Sequence, residues 1–125
     1  LTCVGLLCGA FLGFNQGDIM IETMANHVMA EQTPAGYPTN LYWMYYNTLG
    51  IFQVGGQRFK QWNETVRDML VDAQRPEADG CFYGSWDWKG TQWIGHQVGR
   101  LVSTAYCCLS LQVYYRYAQV HGKGK

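Results

Sequence analysis

Three stretches of the chain are almost free of charge: LTCVGLLCGAFLGF over 1–14, LYWMYYNTLGIFQV over 41–54 and RLVSTAYCCLSLQVYYRYAQV over 100–120. A helix that is apolar nearly all round can only be buried, so these runs predict inner packing helices. Between them lie two segments of different character. From Ile19 to Glu31, behind Asp18 as N-cap, Glu22, Asn26 and Glu31 mark a solvent face. In ETVRDMLVDAQ, Val66, Met69, Leu70 and Ala73 recur at helical spacing, with Asn63 in front as the expected N-cap. Both read as amphipathic outer helices. The expected order is inner, outer, inner, outer, inner, an all-α chain of about five helices in one domain over 1–125.

An internal repeat accompanies this alternation. A shift of 42 positions lays Gly13 on Gly55, Glu22 and Thr23 on Glu64 and Thr65, and Gln32 on Gln74. The matches fall at the end of an inner run and at both ends of an outer one. One supersecondary unit is therefore used twice. Hairpins that bury an apolar inner helix must stack in an open solenoid or a closed ring.

Composition narrows the partners. Nine Lys plus Arg balance nine Asp plus Glu, so no basic field gathers phosphates and nucleic acid is excluded as a partner. The apolar run at 1–14 is shorter than the roughly 20 residues that span a bilayer, so no membrane span is expected. Charged residues make up 14% of the chain against about 25% in an average domain, while 48% is hydrophobic. Such an underpolar surface predicts that part of it is covered, by self-association or by the remainder of a longer polypeptide. The absence of an initiator Met before Leu1 favours the longer polypeptide as an expectation. The five cysteines are odd in number and mostly lie in apolar runs, two of them adjacent, which fits a reducing compartment rather than a disulfide framework.

The stretch from 75 to 98 reads as a long aromatic loop, and HGKGK at 121–125 as a flexible tail. Within the loop, DGCFYGSWDW gathers acids, a thiol and four rings into Asp79–Trp88. The outer helix ending in Gln74, followed by Gly84-Ser85-Trp86 and then an inner helix, resembles the glutamine-tryptophan repeat of squalene-hopene cyclases. Their superfamily of α/α toroids includes the protein prenyltransferase β subunits. The runs quoted above together with GSWD are similar to the C-terminal part of prenyltransferase and squalene oxidase repeat-containing bacterial proteins. That resemblance implies an incomplete α/α-toroid-like stack of hairpins. It assigns Gln74, Gly84 and Trp86 to a structural closure between hairpins.

The resemblance carries little chemistry with it. The Asp-x-Asp-Asp acid of the cyclases has no counterpart in the chain. Asp79-Gly80-Cys81 is similar to the Asp-x-Cys zinc pair of the prenyltransferases, but Ser103 stands where their His falls. Asp79, Cys81 and the loop residue His96 remain the weak metal candidates, and zinc the one cofactor considered. Neither Gly-x-Ser-x-Gly nor a phosphate loop is present. Trp43, Tyr45, Tyr46, Tyr83, Trp88 and Trp93 read either as core or as the lining of a pocket for an apolar or carbohydrate ligand. The expected function is a non-catalytic binding or interaction scaffold; the alternative is a zinc-dependent prenyltransferase-like or other lipid-acting enzyme using Asp79 and Cys81.

Overall fold

The structure, a computed structural model, describes residues 1–14 and 17–117, with the backbone alone over 93–96. Five α-helices form, with no strand among the described residues: α1 (Thr2–Phe11), α2 (Ile19–Glu31), α3 (Leu41–Val54), α4 (Gly56–Ala73) and α5 (Gln92–Arg116). A 3-10 segment, Glu77–Phe82, interrupts the connection between α4 and α5. In α5, Gly99 leaves helical geometry at φ 69°, so a leading helical segment from Gln92 to Val98 is joined across a kink to the long helix that follows.

Local chemistry sets the ends of the elements. Gly13, at φ +91°, closes α1 as a left-handed cap. Its amide reaches the Ala10 carbonyl at 3.3 Å and the Phe14 amide reaches Gly9 at 3.1 Å, a pair of bonds that satisfies the last carbonyls. At the other end of the repeat, Gly55 at φ 69° both ends α3 and begins α4, leaving no loop between them. Asn40 caps α3 through its side-chain oxygen, which accepts from the Trp43 amide at 3.1 Å.

α4 begins eight residues before the position expected from Asn63, with Gly55 as its N-cap. The reason is tertiary. Phe59 and Trp62 continue the stripe of Val66 and Leu70 upstream at helical spacing, and all four are buried. Their burial against α3 draws the first two turns into the helix, and Asn63 becomes a half-exposed position within it.

α3 occupies the middle of the molecule. It packs against α1 on one side and α5 on the other, with α2 lying over α1 and α3 and α4 lying over α3. The layers are thus a row of α1, α3 and α5 and a second layer of α2 and α4. Gly50 lets the row close up: a side chain there would meet the Leu6 side chain at 3.1 Å. Between the layers lie Leu6, Ile21, Val28, Leu41, Ile51, Trp62 and Leu70, all buried. The buried Trp62 indole donates to Thr48 Oγ1 at 2.9 Å, and Thr48 Oγ1 donates to the Met44 carbonyl at 2.7 Å, so the polar atoms in this core contact are paired. Arg58 joins the outer helices through Glu22 at 2.6 Å and Asn26 at 2.9 Å. Among the described residues no helix is long and apolar enough to cross a membrane.

Candidate functional site

The connection from α4 to α5 is built on Gln74, which occupies the C-cap of α4. Its side-chain amide donates to the Gly84 carbonyl at 2.9 Å. Alongside, the Arg75 amide donates to Ser85 O at 2.9 Å and the Gly84 amide to Arg75 O at 3.0 Å, which closes the intervening residues into a compact loop. Gly84 turns there at φ +76°. Trp86 then enters the core at 2% exposure, and its indole N–H donates to the Leu70 carbonyl at 2.7 Å. That carbonyl needs the partner. The Gln74 amide, four residues on, is directed to Val71 instead, so Leu70 is one of the last-turn acceptors a helix leaves open. The Trp86 amide donates in turn to Thr104 Oγ1 on α5 at 3.2 Å, tying the loop to the inner helix that follows.

In the repeat-equivalent place, Gln32 is the C-cap of α2 and accepts from Asn47 of α3 at 3.0 Å. Both glutamines therefore stitch the end of an outer helix to a neighbouring segment, each with different partners.

Around the loop runs an ion-pair network. Asp87 accepts from Arg75 at 2.6 Å and lies 3.5 Å from Arg100, and its Oδ1 also takes the Trp88 amide at 2.9 Å. The Arg75 hydrogen bond is the main reason the Asp87 carboxyl is held below the usual carboxylate range. Arg100 also donates to Ser85 Oγ at 3.1 Å and stacks over the Phe82 ring at 4.5 Å. The Tyr37 hydroxyl donates to the Asp87 carbonyl, and burial pushes that hydroxyl upward in pKa. Burial likewise raises the Cys107 thiol, which stays protonated and is no nucleophile at neutral pH. Each carboxylate oxygen of Asp87 is engaged by a cation or an amide. The arrangement locks a loop.

Two of the metal candidates, Asp79 and Cys81, lie on the 3-10 segment of this loop. Asp79 faces Arg75 at 3.4 Å, and Cys81 is exposed one residue beyond Gly80. Ser103 is fully buried, with its hydroxyl unpaired. Among the described residues no group of three or more His, Cys, Asp or Glu side chains comes together to hold an ion. The side chain of His96 lies outside the described residues, as does that of Trp93.

The aromatic residues fall into two sets. Tyr45 and Tyr46 join Tyr42 of the same helix and Tyr106 of α5, with ring centroids 4.6 to 6.5 Å apart. The Tyr45 hydroxyl meets that of Tyr117 at 3.4 Å; desolvation first, and this contact second, push Tyr45 up to about 12. Trp43 is half exposed, Tyr83 is exposed on the loop, and Trp88 is partly buried. Tyr42 and Tyr106 were not singled out from the sequence. Tyr42 is adjacent to the residues that were, whereas Tyr106 meets them only through the packing of α5 on α3.

Among the described residues, nothing covers either end of the inner row. On α1, Phe11 is 63% and Leu12 78% exposed, and Cys8 is exposed beside them. On α5, Leu101 is 81% and Tyr115 85% exposed, with Ala105, Cys108 and Gln112 between them along one face. The opposite face of α5 carries the buried Ser103, Cys107, Ser110 and Val113. Comparison with family models, curated proteins and solved structures gave no match to the chain.

Proposed function

We propose that the chain is a binding or interaction scaffold without catalysis of its own, an arc of an α/α toroid. Its Gln74, Gly84 and Trp86 play the closing role that the glutamine-tryptophan repeat plays in squalene-hopene cyclase-like proteins. The observation that carries this reading is the pair of uncharged faces at the two ends of the inner row, formed by Cys8, Phe11 and Leu12 and by Leu101, Ala105 and Tyr115. Surfaces of that kind cost free energy when left in water and are stabilised by being covered. The loop network supports the reading from the other side, because its charged groups are spent on one another.

A hydrophobic dye tests the proposal. At concentrations where single chains prevail, an anilinonaphthalene probe binds the wild type, and the double variant Phe11→Glu, Leu101→Glu loses most of that fluorescence. Its unfolding free energy stays within about 0.5 kcal/mol of the parent, as for exposed substitutions generally. Unchanged dye binding in a folded double variant refutes the scaffold reading.

A further inference from the structure

The repeat says what each uncovered face is shaped to meet. A step of 42 residues carries α1 onto α3. On α3, Gly50, Gln53 and Val54 are buried, and Gly50 lies against Leu6 and the Cys3 carbonyl of the preceding inner helix. The same positions on α1 are Cys8, Phe11 and Leu12, all exposed. So α1 carries, uncovered, the face with which α3 receives an inner helix. The outer layer repeats the mismatch: Met29 lines the groove between α2 and α4, and its equivalent on α4, Val71, is 57% exposed.

At the far end, α5 offers the complementary face. Leu101, Ala105, Cys108, Gln112 and Tyr115 fall at helical spacing on the side turned away from the buried Ser103, Cys107 and Ser110. Beside it a groove of about 350 Å³ opens between α4 and α5, lined by Asn63, Arg67, Leu111, Tyr114 and Tyr115. The stripe residues themselves carry no charge; Arg116, next to Tyr115, and Arg67 in the groove lie at the edge, where a cation stays in contact with water. The net charge of the chain is zero, so copies do not repel one another.

We infer that α5 of one copy docks against α1 of a second, head to tail, so that the inner row and the outer layer continue from chain to chain. The inference rests on the scaffold reading above and names its partner. About ten side chains of this size bury on the order of 1,000 Å² in total, the threshold at which specific association begins. The interface is heterologous: each copy uses one face as donor and the other as acceptor. Such an interface closes into a ring when the rotation permits and otherwise extends.

Sedimentation velocity under reducing conditions, over a wide concentration range, tests it. Wild type associates as concentration rises, into a closed ring of two or more copies or into an extending series. Phe11→Glu and Leu101→Glu each remain monomeric alone, because each lacks one face. Mixed in equal amounts they form a heterodimer, since one supplies an intact α5 and the other an intact α1. Should either variant lose its helical circular dichroism, Leu12→Glu or Tyr115→Glu replaces it on the same face. A wild type that is monomeric throughout overturns the inference, as does association in which the two variants fail to complement. A monomeric wild type whose dye binding still disappears in the double variant removes the head-to-tail pairing and leaves the scaffold reading standing.

Discussion

Replacing Trp86 by Phe isolates one bond of the loop closure. The ring stays in a site only 2% exposed, but the N–H that reaches the Leu70 carbonyl at 2.7 Å is gone. Because the Gln74 amide is already committed to Val71, that carbonyl has no substitute in the last turn of α4. A buried acceptor left without a donor costs about 1–3 kcal/mol. Truncation to Ala adds the lost burial and the cavity, for a total of about 3–5 kcal/mol. Against a domain stability of about 5–15 kcal/mol, Trp86→Ala brings the chain close to unfolding, while Trp86→Phe remains measurable. Guanidinium denaturation is the assay, with the midpoint falling and the slope unchanged. Trp43→Phe, at a half-exposed site, supplies the control and shifts stability by no more than about 0.5 kcal/mol. If Trp86→Phe costs no more than Trp43→Phe, the indole does not hold the end of α4, and the closure argument fails.

Other consequences are equally open to measurement. Thr48→Val leaves the buried Trp62 N–H without its acceptor and lowers stability by about 1–3 kcal/mol in the same denaturation assay; an unchanged midpoint counts against the paired core contact. Tyr45 titrates late. Its folded pKa of about 12 lies above the unfolded value near 10, so its contribution is complete below pH 10 and disappears as the pH rises through 12. Ultraviolet titration shows a tyrosinate step near 12 that Tyr45→Phe removes, and a profile untouched by that substitution contradicts the cluster geometry. Metal analysis of the purified chain finds no stoichiometric zinc, because Asp79 is paired with Arg75; zinc that is lost on Cys81→Ala restores the enzyme alternative.

The alternation of helices was legible because it rests on charge. Runs such as 41–54 hold no ionisable acid or base except tyrosine, and a helix with that composition has only one stable place. The start of α4 was not legible. Asn63 followed by Glu64 imitates a helix beginning, and only the burial of Phe59 and Trp62 against α3 shows that the helix is already two turns old. The order inside the long aromatic loop after Gln74 was not legible because it comes from partners distant along the chain: Arg75 with Asp87, Asp87 with Arg100, and the Asp87 carbonyl with Tyr37. Local propensity holds no trace of such pairings. Half of the tyrosine cluster could be read from α3, whereas Tyr106 is brought to it by the packing of α5. The two uncovered stripes were foreshadowed by the shortage of charge, but their positions emerge only once each face of α1 and α5 is known.

Cross-linking through native cysteines addresses the pairing of those stripes directly. Cys8 lies exposed on the α1 face and Cys108 partly exposed on the α5 face, with α3 between the two helices of any one chain. With Cys81 changed to Ser to remove the exposed loop thiol, a short bis-maleimide applied to the associated protein joins Cys8 of one copy to Cys108 of another. Peptide mapping then finds that mixed link, and it disappears with Leu101→Glu. Links confined to Cys8 with Cys8, or none at all in an associated sample, contradict head-to-tail stacking.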